Sequence, residues 1–187
     1  MMRVYDPTTY LGCAGGLKTG VIELLDAVDE NDHVIGRMSR EDIHKFSLRH
    51  RAAHVLVFDS KQRLFLQKRS LSKECSPGLW DSSAAGHLCT GETYERCAHR
   101  ELCEELGVRQ DVPLTRLLDL QACVDTGWEF VRVFRCEDDG PFTLDASEID
   151  QGDWFSLCHI ETWISARPQE LTGTLRRVLP LLHAIYK

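Results

Sequence analysis

Apolar residues along this chain follow two periods. Residues 52–58 read AAHVLVF, an almost unbroken apolar run, and residues 63–67 alternate Leu64 and Leu66 with Phe65 and Gln67. With the turn formers Asp59-Ser60-Lys61 between them, the two segments predict adjacent strands. Residues 21–28 and 33–37 flank Asp29-Glu30-Asn31-Asp32 in the manner of a hairpin. Ser39, with Asp42 three residues on, predicts the cap of a short helix. A short strand is expected over 80–85, a pair over 114–124 and 128–136 around Asp125-Thr126-Gly127, and a last strand around 154–157. At the C-terminal end the period changes. Leu171, Leu175, Val178, Leu179, Leu182 and Ile185 form one stripe of a helix with Pro168 near its first turn, and Pro180 predicts a kink. Residues 1–19 carry Gly12, Gly15 and Gly16 without periodicity and read as a loosely ordered extension. Residues 20–187 show no repeat, linker or low-complexity segment, so the expectation is one layered α/β domain.

The 187 residues are 43% hydrophobic, enough for a single domain with a real core. The net charge of −7, without a stripe of Lys and Arg, argues against duplex DNA as a partner. No apolar run is long enough to cross a bilayer, and no charged segment followed by an apolar one opens the chain, so no membrane partner is expected. The cysteines, at 13, 75, 89, 97, 103, 123, 136 and 158, form no C-x-x-C pair and no zinc-ribbon spacing. They are expected to be buried reduced thiols, which suits a cytoplasmic location.

Candidate chemistry concentrates in Gly86 to Val108, GHLCTGETYERCAHRELCEELGV. The segment reads as a loop and then a helix closed by Gly107. Glu101, Glu104 and Glu105 lie at i, i+3 and i+4, side by side on one helical face. Three like charges so placed repel, and a hard divalent cation reverses the sign of that interaction. An all-oxygen donor set selects Mg2+, with Mn2+ as a substitute, over zinc.

Written as G-x5-E-x7-R-E-U-x-E-E-x-G-U, with U aliphatic, the segment matches at Gly86, Glu92, Arg100, Glu101, Leu102, Glu104, Glu105, Gly107 and Val108. It resembles the Nudix box with no departure at any defined position. The resemblance implies a Nudix-type α/β/α sandwich with a mixed sheet. It also implies an Mg2+-dependent hydrolase that cleaves a diphosphate linkage in a nucleoside diphosphate derivative or a related organic diphosphate, as a monomer or homodimer. Metal ligands would be Glu101, Glu104, Glu105 and the Gly86 carbonyl. Glu92 would organise the loop and helix, and Arg100 would orient a neighbouring carboxylate, a task suited to a planar fork. The base that activates water is either Glu105 within the box or, from a later loop, Glu148 or Glu129.

A second resemblance covers most of residues 21–160. Asp29-Glu30, Val34-Ile35-Gly36, His44, His50-Arg51-Ala52, Leu64 to Ser70 (LFLQKRS), Lys73, Pro77-Gly78-Leu79-Trp80 and Gly86-His87 are similar to the branch containing type I isopentenyl diphosphate isomerase. That likeness implies a second metal site at His44, His50 and His87, and diphosphate-contacting cations at Arg51, Lys68, Arg69 and Lys73. In those isomerases a cysteine just before the Gly-His pair protonates carbon. This chain has Ala85 there, and Cys89 is displaced by four residues. Alanine has no transferable proton, and the isomerases tend to have an eroded box, whereas this one is intact. Both departures favour hydrolysis over isomerisation. A non-catalytic nucleotide-binding module is the remaining alternative, and the complete acidic set argues against it.

Overall fold

The computed structural model describes residues 22–185. The expectation for residues 1–19 lies outside them. A hairpin of β1 (Leu24–Val28) and β2 (Val34–Ser39) opens the described chain. Its turn is set by Asp29, whose carboxylate accepts the Asn31 and His33 amides at 2.8 and 2.9 Å. Ser39 caps α1 (Arg40–Lys45) by accepting the Asp42 amide at 3.1 Å.

The central sheet is built on β3 (His50–Phe58) and β4 (Leu64–Arg69). β3 runs parallel to β8 (Glu129–Glu137) along its whole length, and β7 (Thr115–Leu120) pairs antiparallel with β8. On its other edge β3 meets β4 only at Val57–Phe65 and Phe58–Leu64. The two strands then splay apart. The wedge between them holds two short strands, β5 (Trp80–Asp81) against β4 and β6 (Ala84–His87) against β3. β9 (Ile149–Phe155) pairs with the outer edge of β4.

Successive side chains of β3 point to opposite faces. Ala53, Val55 and Val57 pack with Leu102 and Leu106 of α2 (Tyr94–Leu106), together with Phe65 and Phe134. Ala52, Leu56 and Phe58 pack on the other face with Ile160 and Trp163 of α3 (Leu157–Ala166) and with Leu175, Val178 and Leu182 of α4 (Gly173–Ile185). The result is the expected α/β/α sandwich with a mixed sheet.

Several boundaries differ from expectation. The strand over 80–85 is two strands, because the β3–β4 wedge admits each only briefly. The strand over 114–124 ends at Leu120; beyond it Thr126 accepts the Cys123 amide at 3.0 Å and closes a turn. The last strand begins at Ile149 rather than near 154, since Gln151 and Asp153 lie exposed on an edge strand and mask its period. Residues from Leu157 instead form α3, capped by Ser156. The C-terminal helix starts at Gly173; Pro168–Glu170 is a 3-10 turn, and the helix continues through Pro180.

Leu175 is fully buried at the contact of α4 with the sheet. Leu175→Ala is expected to lower stability by about 3 kcal/mol through lost burial and an unfilled cavity, measured by urea unfolding.

Candidate active site

The wedge between β3 and β4 fixes the site. β6 enters it antiparallel to β3, with Gly86 opposite Ala53 and His87 opposite Ala52. Alternation turns these two residues to opposite faces. Gly86 meets the α2 helix, and His87 meets α1.

α2 begins at a Thr93 cap, and it ends in a left-handed Gly107, the closing residue expected from the sequence. Within it Arg100 ties the loop to the helix. Its guanidinium donates to both oxygens of Glu92 at 3.0 and 2.9 Å, to the His87 carbonyl at 3.0 Å and to Glu104 at 3.3 Å, and it also bonds Glu101. Glu92 in turn accepts the Cys89 amide at 3.0 Å. The loop is further pinned to β1, where the Asp26 carboxylate accepts the Gly91 amide and the Leu24 carbonyl accepts the Thr90 amide.

Glu101 and Glu105 are buried carboxylates. Burial pushes Glu101 up to about 7 against the pull of Arg100. Burial and the neighbouring Glu101 push Glu105 well above the usual carboxylate range, although its Oε2 accepts the Ala85 amide at 3.0 Å and the Gln67 side chain at 2.9 Å. The Glu101 side chain passes so close to Gly86 that a Cβ there would lie 1.9 Å from Oε1. Glycine is therefore required by contact rather than by its backbone angle. The Gly86 carbonyl accepts the Cys97 thiol at 3.4 Å, and desolvation keeps that thiol protonated. This donor set is all oxygen and carries more negative charge than Arg100 offsets, so the residues fit a hard divalent cation.

On the other face His44, His50 and His87 gather with ring centroids 4.9 to 5.1 Å apart, and one ligand atom of each lies within 4.8 Å of the others. Among the described residues they are the one cluster of that kind. Glu129, opposite His50 in the β3–β8 register, sits 3.0 Å from His87 Nε2 and 3.7 Å from His50 Nε2. Desolvation keeps the imidazoles neutral, with His50 lowered to about 4. His44 Nε2 and His50 Nε2 are buried without a hydrogen bond. Two buried ring nitrogens without a hydrogen bond, that of His50 3.7 Å from the Glu129 carboxylate, fit a metal better than a packed core.

The four cations named from the sequence do not converge. Arg51 turns to Asp32 in the β1–β2 turn, at 2.7 Å. Arg69 is held by Asp81 at 3.2 Å and by the Cys75 carbonyl at 3.1 Å. Lys73 pairs with Glu148, so one cation candidate and one base candidate are joined directly. Lys68 has no ion-pair partner among the described residues.

Sequence reasoning passed over Gln67, whose burial follows from both faces of β4 being covered, and His54, whose Nδ1 lies 2.9 Å from Ser82 Oγ in the interior. The LFL run before Gln67 is the signal for the first; none marks the second. The expected set of buried reduced thiols also needs correction. Cys97 and Cys136 are buried and free, Cys75, Cys103 and Cys158 are exposed, and Cys89 is disulfide-bonded. No helix among the described residues is long and apolar enough to cross a membrane.

Comparison with known proteins agrees with this geometry. Residues 48–181 match the family described as NUDIX domain. The chain is 33% identical over 162 residues to isopentenyl-diphosphate Delta-isomerase 2 of Photorhabdus laumondii, covering 84% of this chain and 90% of that one. It is 35% identical over 165 residues to an uncharacterized Nudix hydrolase of Yersinia pestis, covering 86% of each. The crystal structure of DR0079 from Deinococcus radiodurans superposes with a TM-score of 0.75 at 29% identity, covering 84% of this chain and 98% of that one.

Because Glu101 binds its proton more tightly folded than unfolded, its contribution to stability is complete below about 4.5 and is lost as pH rises through about 7. Metal-free Glu101→Gln is therefore expected to be more stable than the parent at pH 8 by about 1–3 kcal/mol, with the advantage vanishing near pH 5. Urea unfolding in chelator across that range is the measurement.

Proposed function

The chain belongs to the Nudix family, and from that premise we propose that it is an Mg2+-dependent hydrolase cleaving a diphosphate linkage in a nucleoside diphosphate derivative or related organic diphosphate. One observation carries the reading. Glu101 is buried against Gly86 and Glu105 beside the Ala85 amide, and of the two only Glu101 is paired with an arginine. Such an arrangement costs stability and is retained where added positive charge is to be bound.

Glu101, Glu104, Glu105 and the Gly86 carbonyl would hold the cation, which supplies neutralisation of the phosphoryl oxygens and a lowered pKa for bound water. The remaining work falls to the chain. Arg100 fixes the angle of Glu101 and Glu104. Gln67 and the Ala85 amide hold Glu105. Lys73, through a flexible ammonium, binds a phosphate oxygen. The proton of the attacking water passes to Glu105 or Glu148. Glu129 is occupied with His50 and His87 on the opposite face and serves that cluster instead.

The imidazole cluster favours a second reading, isomerisation of an isoprenoid diphosphate, since the similar Photorhabdus laumondii protein is named an isopentenyl-diphosphate Delta-isomerase. Ala85 stands against it: among the residues beside His87 it offers no proton.

Phosphate release should appear with at least one member of a panel of nucleoside triphosphates, dinucleotides, nucleotide sugars and prenyl diphosphates, and disappear with chelator. Glu104→Gln and Glu105→Gln are each expected to lower kcat about 100-fold or more, roughly 3 kcal/mol of transition-state stabilisation, with the circular dichroism spectrum unchanged. Full activity in either variant would sink the assignment of the helix. Isomer exchange in isopentenyl diphosphate would favour the second reading.

A further inference from the structure

Two loops meet beside the box carboxylates. One, residues 70–79, joins β4 to β5; the other, residues 138–148, joins β8 to β9. Backbone and side-chain hydrogen bonds join them. The Ser70 amide donates to the Glu148 carbonyl at 2.9 Å, Ser72 Oγ to the Ser147 carbonyl at 3.4 Å, and the Leu71 amide to the Asp150 carboxylate at 3.2 Å. The second loop is also fixed to the C-terminal turn of α2, where the Asp145 amide donates to the Glu105 carbonyl at 3.0 Å.

Across this seam Lys73 Nζ bonds Glu148 Oε2. Both side chains are partly open to solvent, at 20% and 27% exposure. The pair therefore sits on two loops that border the C-terminal turn of α2, the turn that carries Glu105. The other ion pairs of this region are anchored more firmly. Asp81, the partner of Arg69, also accepts Thr172 Oγ1 at 2.9 Å and the Ser82 amide at 2.8 Å. Lys73 is the hydrogen-bonding partner of the Glu148 side chain.

We propose that Glu148 occupies Lys73 as a stand-in for a substrate phosphate, and that the arriving diphosphate exchanges with it, taking the ammonium and releasing the carboxylate to act as general base. This rests on the hydrolase reading and adds the order of events within it. A partly exposed pair contributes about 0–1 kcal/mol, so exchange costs little. A phosphate carries more charge than the carboxylate it displaces and has more acceptor oxygens for the ammonium. Pairing in the resting state also spares the incoming anion a bare carboxylate in its path. Once released from the ammonium, the Glu148 carboxylate is free to accept a proton. The step then balances: the water oxygen bonds to phosphorus, its proton goes to Glu148, and the bridging P–O bond breaks with its electron pair leaving on the departing phosphate. The proton later passes to solvent.

The test is binding of methylenediphosphonate, a non-hydrolysable diphosphate, by titration calorimetry in Mg2+. Glu148→Gln is expected to bind about 5- to 10-fold more tightly than the parent because Lys73 is no longer occupied, and Lys73→Met about 10-fold more weakly. On a confirmed substrate Glu148→Gln should lower KM while lowering kcat at least 50-fold, and Glu148→Asp should restore part of kcat. A merely structural pair would not move binding and turnover in opposite directions. Unchanged or weaker binding by Glu148→Gln, or undiminished kcat, overturns the exchange. Absence of hydrolysis by the parent would remove the hydrolase reading, whereas the binding isotherms decide the exchange by themselves.

Discussion

Two carboxylates of α2, Glu101 and Glu105, are buried beside the partly exposed Glu104, and Arg100 supplies a counter-charge to Glu101 and Glu104. Its guanidinium reaches Glu101 and Glu104 on its own helix, and Glu92 and the His87 carbonyl across the loop. One partly buried cation thus fixes the distance between the loop and the helix and keeps the acidic set from repelling itself apart. It does not offset the burial, which still raises the proton affinities of Glu101 and Glu105. The remaining imbalance connects fold to function: what the polypeptide leaves unsatisfied is what a cation and a phosphorylated substrate bring.

The second constraint is the parting of β3 and β4. Had they paired along their length, no strand end would reach the middle of the sheet. By separating after two residue pairs they admit β5 and β6, and β6 carries the glycine and histidine of two distinct constellations side by side. The carboxylates come from α2 on one face; the imidazoles come from α1, β3 and β6 on the other. Glu129 of β8 completes the second group because parallel pairing sets it opposite His50.

Legibility in the sequence followed how local each determinant is. The box was readable because its spacing, its Gly107 cap and its Leu102 on the packing side all lie within one loop and helix. The β1–β2 hairpin and the β3–β4 pair were readable from turn chemistry at Asp29 and Asp59. The splay, by contrast, depends on which strands fill the wedge, and no local pattern announces it. β9 was placed too late because an edge strand with one face in water alternates weakly. α3 was missed because its start, a single Ser156 cap, looked like the end of a strand. Arg51 could be grouped with Lys73 by resemblance alone; the parity of β3 sends it toward Asp32. The partnership of Lys73 with Glu148 joins residues 75 positions apart and lay beyond any reading of spacing.

The alternation of Ala85, Gly86 and His87 along β6 makes the separation of the two constellations a matter of parity. An insertion of one residue between β5 and β6 would turn the imidazole toward the carboxylates and press a side chain where only hydrogen fits, losing both sites together. An insertion of two would restore the faces and displace the strand by one pleat repeat. The short segment between Asp81 and Ala84 therefore behaves as a frame within the frame: its length, counted as odd or even, decides which face each residue it delivers will meet.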